Sequence, residues 1–334
     1  MAVYTHLAAE QLSELIAEYD VGQLVSAKGI AEGVSNSNWL IETTGKDGNG
    51  ARFILTMYEE RVNPDYLPFY LGLLDHLAAK GAPVPATIHD RDGAAFRFVS
   101  DDSDPDGPAR PVALIEFLPG VSVDHPTGAQ AHSVGRALAG THLSVADFPQ
   151  QGVQTMGLDA WDRMIHDCGE TGLAEIDPAL PELALAELSF LAGNWPGGLP
   201  YGVVHCDLFP DNVLMLGDEV TGLIDFYFAA TDLFAYDLAV THAAWSFSKG
   251  GRTFRPEIGQ ALLEGYEEIR PLQDYEREHL PVLARGACMR FISSRAYDWI
   301  NTPADALVTR KDPMDFTRRL AFYSEAGHQA FAPA

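Results

Sequence analysis

Basic residues are scarce in this chain: 22 Lys and Arg stand against 47 Asp and Glu, a formal net charge of -25 over 334 residues. Such a surface repels phosphate backbones and offers no basic stripe, so no nucleic-acid partner is expected. Cysteine is scarcer still. Cys168, Cys206 and Cys288 are odd in number and far apart, which excludes a disulfide framework and a zinc-ligand spacing. No run of about 18 apolar residues occurs, so no membrane passage is expected. The opening MAVYTHLAAEQLSELIAEYD lacks the charged start and apolar run of a signal peptide. A reducing cytoplasm is the expected compartment.

What is present is a large apolar fraction, 47%, enough for two domains or lobes. Leu7, Leu12, Leu15, Ile16 and Tyr19 recur at helical intervals. LVSAKGI, NWLIETT and RFILTMY then read as three strands, and residues 65–79 return to helical period. VALIEFLPG, at 112–120, is an apolar strand closed by a Pro-Gly breaker. Beyond it, 129–145, 159–170, 180–193, 232–249, 256–268, 276–299 and 313–332 are of helical type. The expected fold is α+β with two lobes: a sheet-rich lobe at 1–111, a linker strand at 112–120 and a mostly helical lobe at 121–334. Ligands are expected in a cleft where the lobes join.

The segment YGVVHCDLFPDNVLMLGDEVTGLIDFYFA, 201–229, carries the chemistry. VLML and GLIDF flank the polar turn GDEVTG and predict a hairpin. A tight turn centred on Asp218 and Glu219 places Asn212 opposite Asp225, and a turn one residue longer shifts them by one position. Opposed residues have Cβ atoms about 5 Å apart. A carboxamide oxygen and a carboxylate at that spacing suit Mg2+ with bound phosphate, which takes oxygen ligands and keeps water. Asp207, five residues before Asn212, enters the same end and can accept a proton from a substrate hydroxyl attacking a γ-phosphate. His205 is a second catalytic candidate, although a histidine so placed more often braces its loop. Taken singly, Asp207 and Asn212 could be turn caps and Asp225 a strand-end acid; the spacing of all three makes the signal specific.

HCDLFPDNVL followed by LIDF resembles the catalytic and metal loops of the aminoglycoside phosphotransferase and choline kinase superfamily, whose fold is that of protein kinases. GIAEGVSNSNWLIETT, FILTMYEE, IEFLPG, GLIDFYFAATDLFAYDLAV, RFISSRAYDW and VTRKDP are further similar to its bacterial homoserine kinase branch, across most of the chain. The resemblance implies ATP-dependent, Mg2+-dependent phosphorylation of the side-chain hydroxyl of L-homoserine to O-phosphohomoserine, with Asp207 as base and Asn212 and Asp225 as metal ligands. The alternatives are a kinase of choline, ethanolamine, methylthioribose or an aminoglycoside, and an inactive nucleotide-binding protein of the same fold. Two departures stand out. The branch usually has Gly at the position of Cys206, and Tyr227 follows Asp225-Phe226 where protein kinases have Gly.

In such a fold the hairpin GIAEGVSNSN covers the nucleotide phosphates, giving Gly29, Gly33, Ser35, Asn36 and Asn38 as nucleotide-binding candidates. Glu116, Phe117 and Leu118 offer backbone groups to the adenine edge. Kinases place a lysine on the third strand, but here Thr56 occupies that position, as in the homoserine kinase branch; Arg52, Arg61 and Lys28 are the nearby cations. Homoserine presents an ammonium and a carboxylate. Asp232 is the candidate for the ammonium and Arg295 for the carboxylate, because an arginine fork holds two oxygens. Asp237 reads as a structural brace. Arg295 and Asp298, three apart on a helix, could instead pair with each other, and Trp245, Tyr297 and Trp299 read as packing.

Overall fold

The computed structural model describes residues 7–30, 36–59, 63–100, 108–302 and 310–332. By internal contacts the chain divides into two units, Met1–Pro119 and Gly120–Ala334.

The first unit is built on a six-stranded sheet. Its members are β1 (Leu24–Ile30), β2 (Asn36–Thr43), β3 (Ala51–Tyr58), β4 (Thr87–Ile88), β5 (Arg97–Val99) and β6 (Arg110–Glu116). The order is β1-β2-β3-β6-β4, with β5 also on β6 and every pairing antiparallel. Alternation puts Trp39, Ile41, Leu55, Met57, Val112 and Leu114 on one face. Leu12, Leu15 and Ile16 of α1 (Ala9–Ala17) cover that face. Each such buried side chain contributes roughly 1.5–3 kcal/mol. α2 (Leu67–Ala79) buries Leu67, Leu71, Leu74 and Leu77 at helical spacing. β6 is hydrogen-bonded to three strands, so the apolar run at 112–116 belongs to this sheet, and the chain passes to the second unit after Pro119.

The second unit is mostly helical: α3 (Gly128–Ser144), α4 (Leu158–Ile176), α5 (Leu180–Asn194), α6 (Phe234–Trp245), α7 (Pro256–Ile269), α8 (Asp274–Asn301) and α9 (Met314–Ala326). The α3 N-terminus is fixed by a capping box, in which Thr127 Oγ1 accepts from Gln130 N–H and Gln130 Oε1 accepts from Thr127 N–H. Gly135 and Gly265 let α3 and α7 touch backbone to backbone, because a Cβ at either would overlap a carbonyl of the other helix. α6 is buried on every side from Ala235 to Trp245, polar Asp237, Thr241 and His242 included, and the long α8 packs on α4, α6 and α9.

Two short antiparallel pairs complete this unit: β7 (Tyr201–Val204) with β10 (Ala230–Leu233), and the hairpin of β8 (Val213–Leu216) with β9 (Glu219–Leu223). The helical pattern expected from 232 starts later, because Asp232 and Leu233 pair with Gly202 and Tyr201 in the β10–β7 ladder. The β8–β9 turn also differs from expectation. It is centred on Gly217 and Asp218, with Leu216 opposite Glu219, and a bulge between Leu214 and Met215 moves the outer register by one, to Val213 opposite Leu223. Gly217 takes φ 63°, a left-handed value that a tight two-residue turn demands.

Candidate active site

The loop between β7 and β8 and the segment after β9 meet at one end of the small hairpin. Ile224 N–H donates to Asn212 O at 3.0 Å, so Asn212 faces Ile224 and lies one position from Asp225. The earlier turn centre causes that offset, the bulge reduces it from two positions to one, and the expected neighbours still come together. Asn212 Nδ2 donates to Asp207 O at 2.8 Å and approaches Asp207 Oδ2 at 3.3 Å. The amide orientation this imposes turns Oδ1 away from Asp207, available as a ligand.

Asp225 sits at φ 66° and Cys206 at φ 62°, and among the described residues these are the non-glycine residues with positive φ. Left-handed backbone at such residues costs energy and clusters at functional sites. The Asp225 carboxylate is densely surrounded yet open to solvent on one side. Burial, then the like charges of Asp207 and Asp211, raise its pKa to about 7; Lys311, 3.9 Å from Asp211, offsets this only in part. An oxygen-donor cluster with surplus negative charge fits a hard divalent cation. Among the described residues no group of three His, Cys, Asp or Glu could hold a metal, so an ion here would need further oxygen ligands such as the Asn212 carboxamide, phosphate or water.

The loop itself is held from below. Asp237, fully buried in the first turn of α6, accepts from the His205 N–H at 2.8 Å and the Cys206 N–H at 2.7 Å, one oxygen each. His142 Nε2 lies 3.0 Å from the same carboxylate, and its Nδ1 bonds the Tyr266 hydroxyl at 2.8 Å. His205 accepts at Nδ1 from the Asp207 N–H at 3.2 Å and donates from Nε2 to Ile224 O at 2.9 Å. With both ring nitrogens engaged by backbone, His205 ties the loop to the segment that carries Asp225. Arg290, from α8, donates to Cys206 O and places Nη2 3.6 Å from Asp207 Oδ1. Cys206 is buried and burial raises its thiol pKa, so it stays protonated beside the acids.

The substrate candidates are more dispersed. Asp232 lines a concavity of about 640 Å3 with Gln154, Asp159, Trp161, Trp195 and Tyr236. Its oxygens already accept from Gln154 Nε2 at 2.5 Å and the Leu233 N–H at 2.7 Å, and burial raises its pKa. Arg295 does not pair with Asp298. It reaches forward to Asp312 O at 3.1 Å and the Asp315 carboxylate at 3.5 Å. Trp245 is buried and donates to Leu208 O at 2.9 Å, while Tyr297 is exposed.

The description of the phosphotransferase enzyme family matches residues 26–272. A homoserine kinase of Rhizobium johnstonii is 46% identical over 325 residues, covering 97% of each chain. One from Agrobacterium fabrum is also 46% identical, over 97% of this chain and 96% of that relative. The chain belongs to this phosphotransferase family, in its homoserine kinase branch. A solved spectinomycin phosphotransferase, in complex with ADP and spectinomycin, shares the fold at TM-score 0.69 and 15% identity, over 97% of this chain and 99% of that one. The family's kinase-like fold is thus the fold of this chain, an antiparallel sheet unit followed by a helical one.

In the first unit Thr56 stands at the β3 position where many kinases carry a lysine. Thr56 is buried and donates to Asn38 Oδ1 at 2.8 Å across the β2–β3 pair, so Asn38 is held by the sheet through that oxygen. Asn36 is buried, with Oδ1 unbonded by any described residue. Gly29 lies in the exposed β1, opposite Trp39. Gly33, Ser35 and Arg61 lie outside the described residues. Arg52 pairs with Glu42 at 3.0 Å and lies over the Phe117 ring, and Lys28 is exposed on β1. Glu116 is the last residue of the ladder with β3, leaving Phe117 and Leu118 beyond it. Sequence reasoning gave no role to Arg290, because its partner Asp207 lies 83 positions earlier and no local spacing links them.

Proposed function

We propose that this protein transfers the γ-phosphoryl group of ATP to the side-chain hydroxyl of L-homoserine, yielding O-phospho-L-homoserine and ADP, a step of threonine biosynthesis. The observation that supports it most is the convergence of Asp207, Asn212 and Asp225 at one hairpin end, in a chain 46% identical to homoserine kinases over nearly its whole length. In this reading Asp207 takes the hydroxyl proton as that oxygen attacks the γ-phosphorus and ADP departs. Asn212 Oδ1 and the Asp225 carboxylate hold Mg2+, which neutralises charge on the phosphates. Arg290 and Asn212 keep Asp207 in place at the point of proton transfer.

On the nucleotide side, Gly29, Gly33, Ser35, Asn36 and Asn38 meet the phosphates, and the backbone at Glu116, Phe117 and Leu118 meets adenine. On the acceptor side, Asp232 receives the ammonium and Arg295 the carboxylate. An acceptor panel tests the reading. Purified protein with Mg-ATP is given L-homoserine, choline, ethanolamine, methylthioribose or an aminoglycoside, ADP release is followed, and the product is assigned by phosphorus NMR. Homoserine-dependent ADP release with a phosphomonoester product is expected; brisk release with another alcohol and none with homoserine would overturn the assignment.

A further inference from the structure

Arg319, in the second turn of α9, is only 7% exposed, and no described residue bonds or pairs with it. Its Nε and Nη1 are sealed from solvent without an acceptor. Other enclosed guanidiniums in this unit are answered. Arg285 forks onto Glu187 at 2.8 and 2.6 Å, Arg270 meets Glu276 at 2.8 Å, and Arg290, although its Nε lacks an acceptor, has Cys206 O and Asp207. An unpaired buried cation is costly; the Asp315 carboxylate, whose charge acts on Arg319, is paired with Arg295 and Arg318, which calls for an anion from outside.

Its position indicates which anion. The Arg319 guanidinium lies over the Phe316 ring at 4.2 Å from the centroid, and the Arg295 guanidinium lies over the same ring at 4.7 Å. Burial, then the charge of Arg319, lower the pKa of Arg295 to about 10, even with the Asp315 carboxylate 3.5 Å away. Phe316 packs edge-on to Phe209 at 6.0 Å, and the Phe209 N–H donates to Asp207 O at 2.8 Å. The two guanidiniums therefore stand one aromatic ring away from the loop that carries Asp207. A planar carboxylate on a short acceptor would satisfy both forks at once.

We propose that Arg319 is a specificity-determining residue, which with Arg295 binds the α-carboxylate of the amino-acid acceptor and so separates it from amino alcohols that lack that group. The proposal rests on the homoserine reading above.

The test compares parent, Arg319→Met and Arg319→Lys proteins on L-homoserine and on 3-aminopropan-1-ol, which keeps the amine and hydroxyl but has no carboxylate. In Arg319→Met, kcat/KM for homoserine is expected to fall about 100-fold, mainly through KM, as for loss of a paired charge. Turnover of 3-aminopropan-1-ol and affinity for Mg-ADP stay at parental values, which separates an acceptor carboxylate from a nucleotide phosphate as the bound anion. Arg319→Lys keeps the charge without the fork and falls between. Two readings are independent of turnover. Arg319→Met melts at or above the parental temperature, because an unanswered buried cation has been removed, and the rise in melting temperature that homoserine gives the parent disappears. Equal losses on both acceptors, weaker Mg-ADP binding, or earlier melting would each refute the proposal. A parent inactive on homoserine would instead refute the functional reading, whereas an active parent with an unchanged Arg319→Met KM would refute this inference alone.

Discussion

Asp237 and Cys206 are joined by a 2.7 Å hydrogen bond from the Cys206 backbone N–H to Asp237 Oδ1, and this bond closes the left-handed turn just before Asp207. The other carboxylate oxygen takes the His205 N–H. Burial pushes the Asp237 pKa up, but His142, His205 and these backbone bonds prevail, and the carboxyl is held below its ordinary range. In Asp237→Asn the amide group would set a donor against a backbone donor in a sealed site. A loss of about 3–5 kcal/mol is expected, or roughly 10 °C in melting temperature, with turnover reduced alongside. Calorimetry and steady-state kinetics on the one variant check both.

Cys206 bears a side chain at a backbone geometry that glycine adopts freely. Cys206→Gly removes that strain and also the packing of a buried thiol, so a stability change within about 1 kcal/mol and near-parental turnover are expected. Cys206→Val puts a β-branched residue at φ 62° and should displace Asp207, with turnover down at least about tenfold. Equal tolerance of the two substitutions would contradict the turn as described.

Three buried histidines set the acid limb of stability. Burial lowers the pKa of His142 and His205, and that of His242 to about 3. Each is neutral in the folded protein and takes a proton near pH 6.5 once unfolded. The unfolded chain therefore binds more protons below pH 6.5, and folded stability falls as pH drops through that value, by up to about 1.4 kcal/mol per histidine per pH unit. For His242 the loss continues down to about pH 3. A melting series between pH 7.5 and 5 should show this limb, and His242→Gln should make it shallower.

The raised pKa of Asp225 acts in the opposite sense on the metal-free protein. Between the ordinary carboxylate value and about 7 the folded state holds the extra proton, so the Asp225 contribution lowers stability as pH rises through that window. Since one side of the carboxylate is open to water, the penalty at pH 8 is of order 1 kcal/mol after screening. Asp225→Asn should thus melt slightly later than the parent at pH 8 without metal. It should also lose the stabilisation that Mg-ADP gives the parent, whose Mg2+ affinity weakens as pH falls below about 7.

Spacing alone was enough to bring Asp207, Asn212 and Asp225 to one end of a hairpin, since strand pairing is a local constraint with a fixed period. The turn at Gly217 and Asp218 escaped that reasoning because a bulge near Leu214 recovers one of the two positions by which the earlier turn shifts the pairing, leaving the expected neighbours nearly unchanged. The strand at Asp232 was hidden for another reason: its partner Gly202 lies 30 positions earlier, and the sequence runs straight on into the helical period of α6. Arg295 shows the limit most clearly. Its local spacing suggested Asp298, but the fold brings Asp312 and Asp315 to it across a loop that helical periodicity does not describe.

The most direct test of the account is the turnover of Asp207→Ala set beside its nucleotide affinity. The expected result is homoserine-dependent ADP release reduced by at least about 1,000-fold, with the dissociation constant for Mg-ADP within a few-fold of the parent, since Asp207 acts on the acceptor proton and leaves the metal ligands in place. An Asp207→Ala protein that still phosphorylates homoserine at the parental rate would contradict Asp207 as the base.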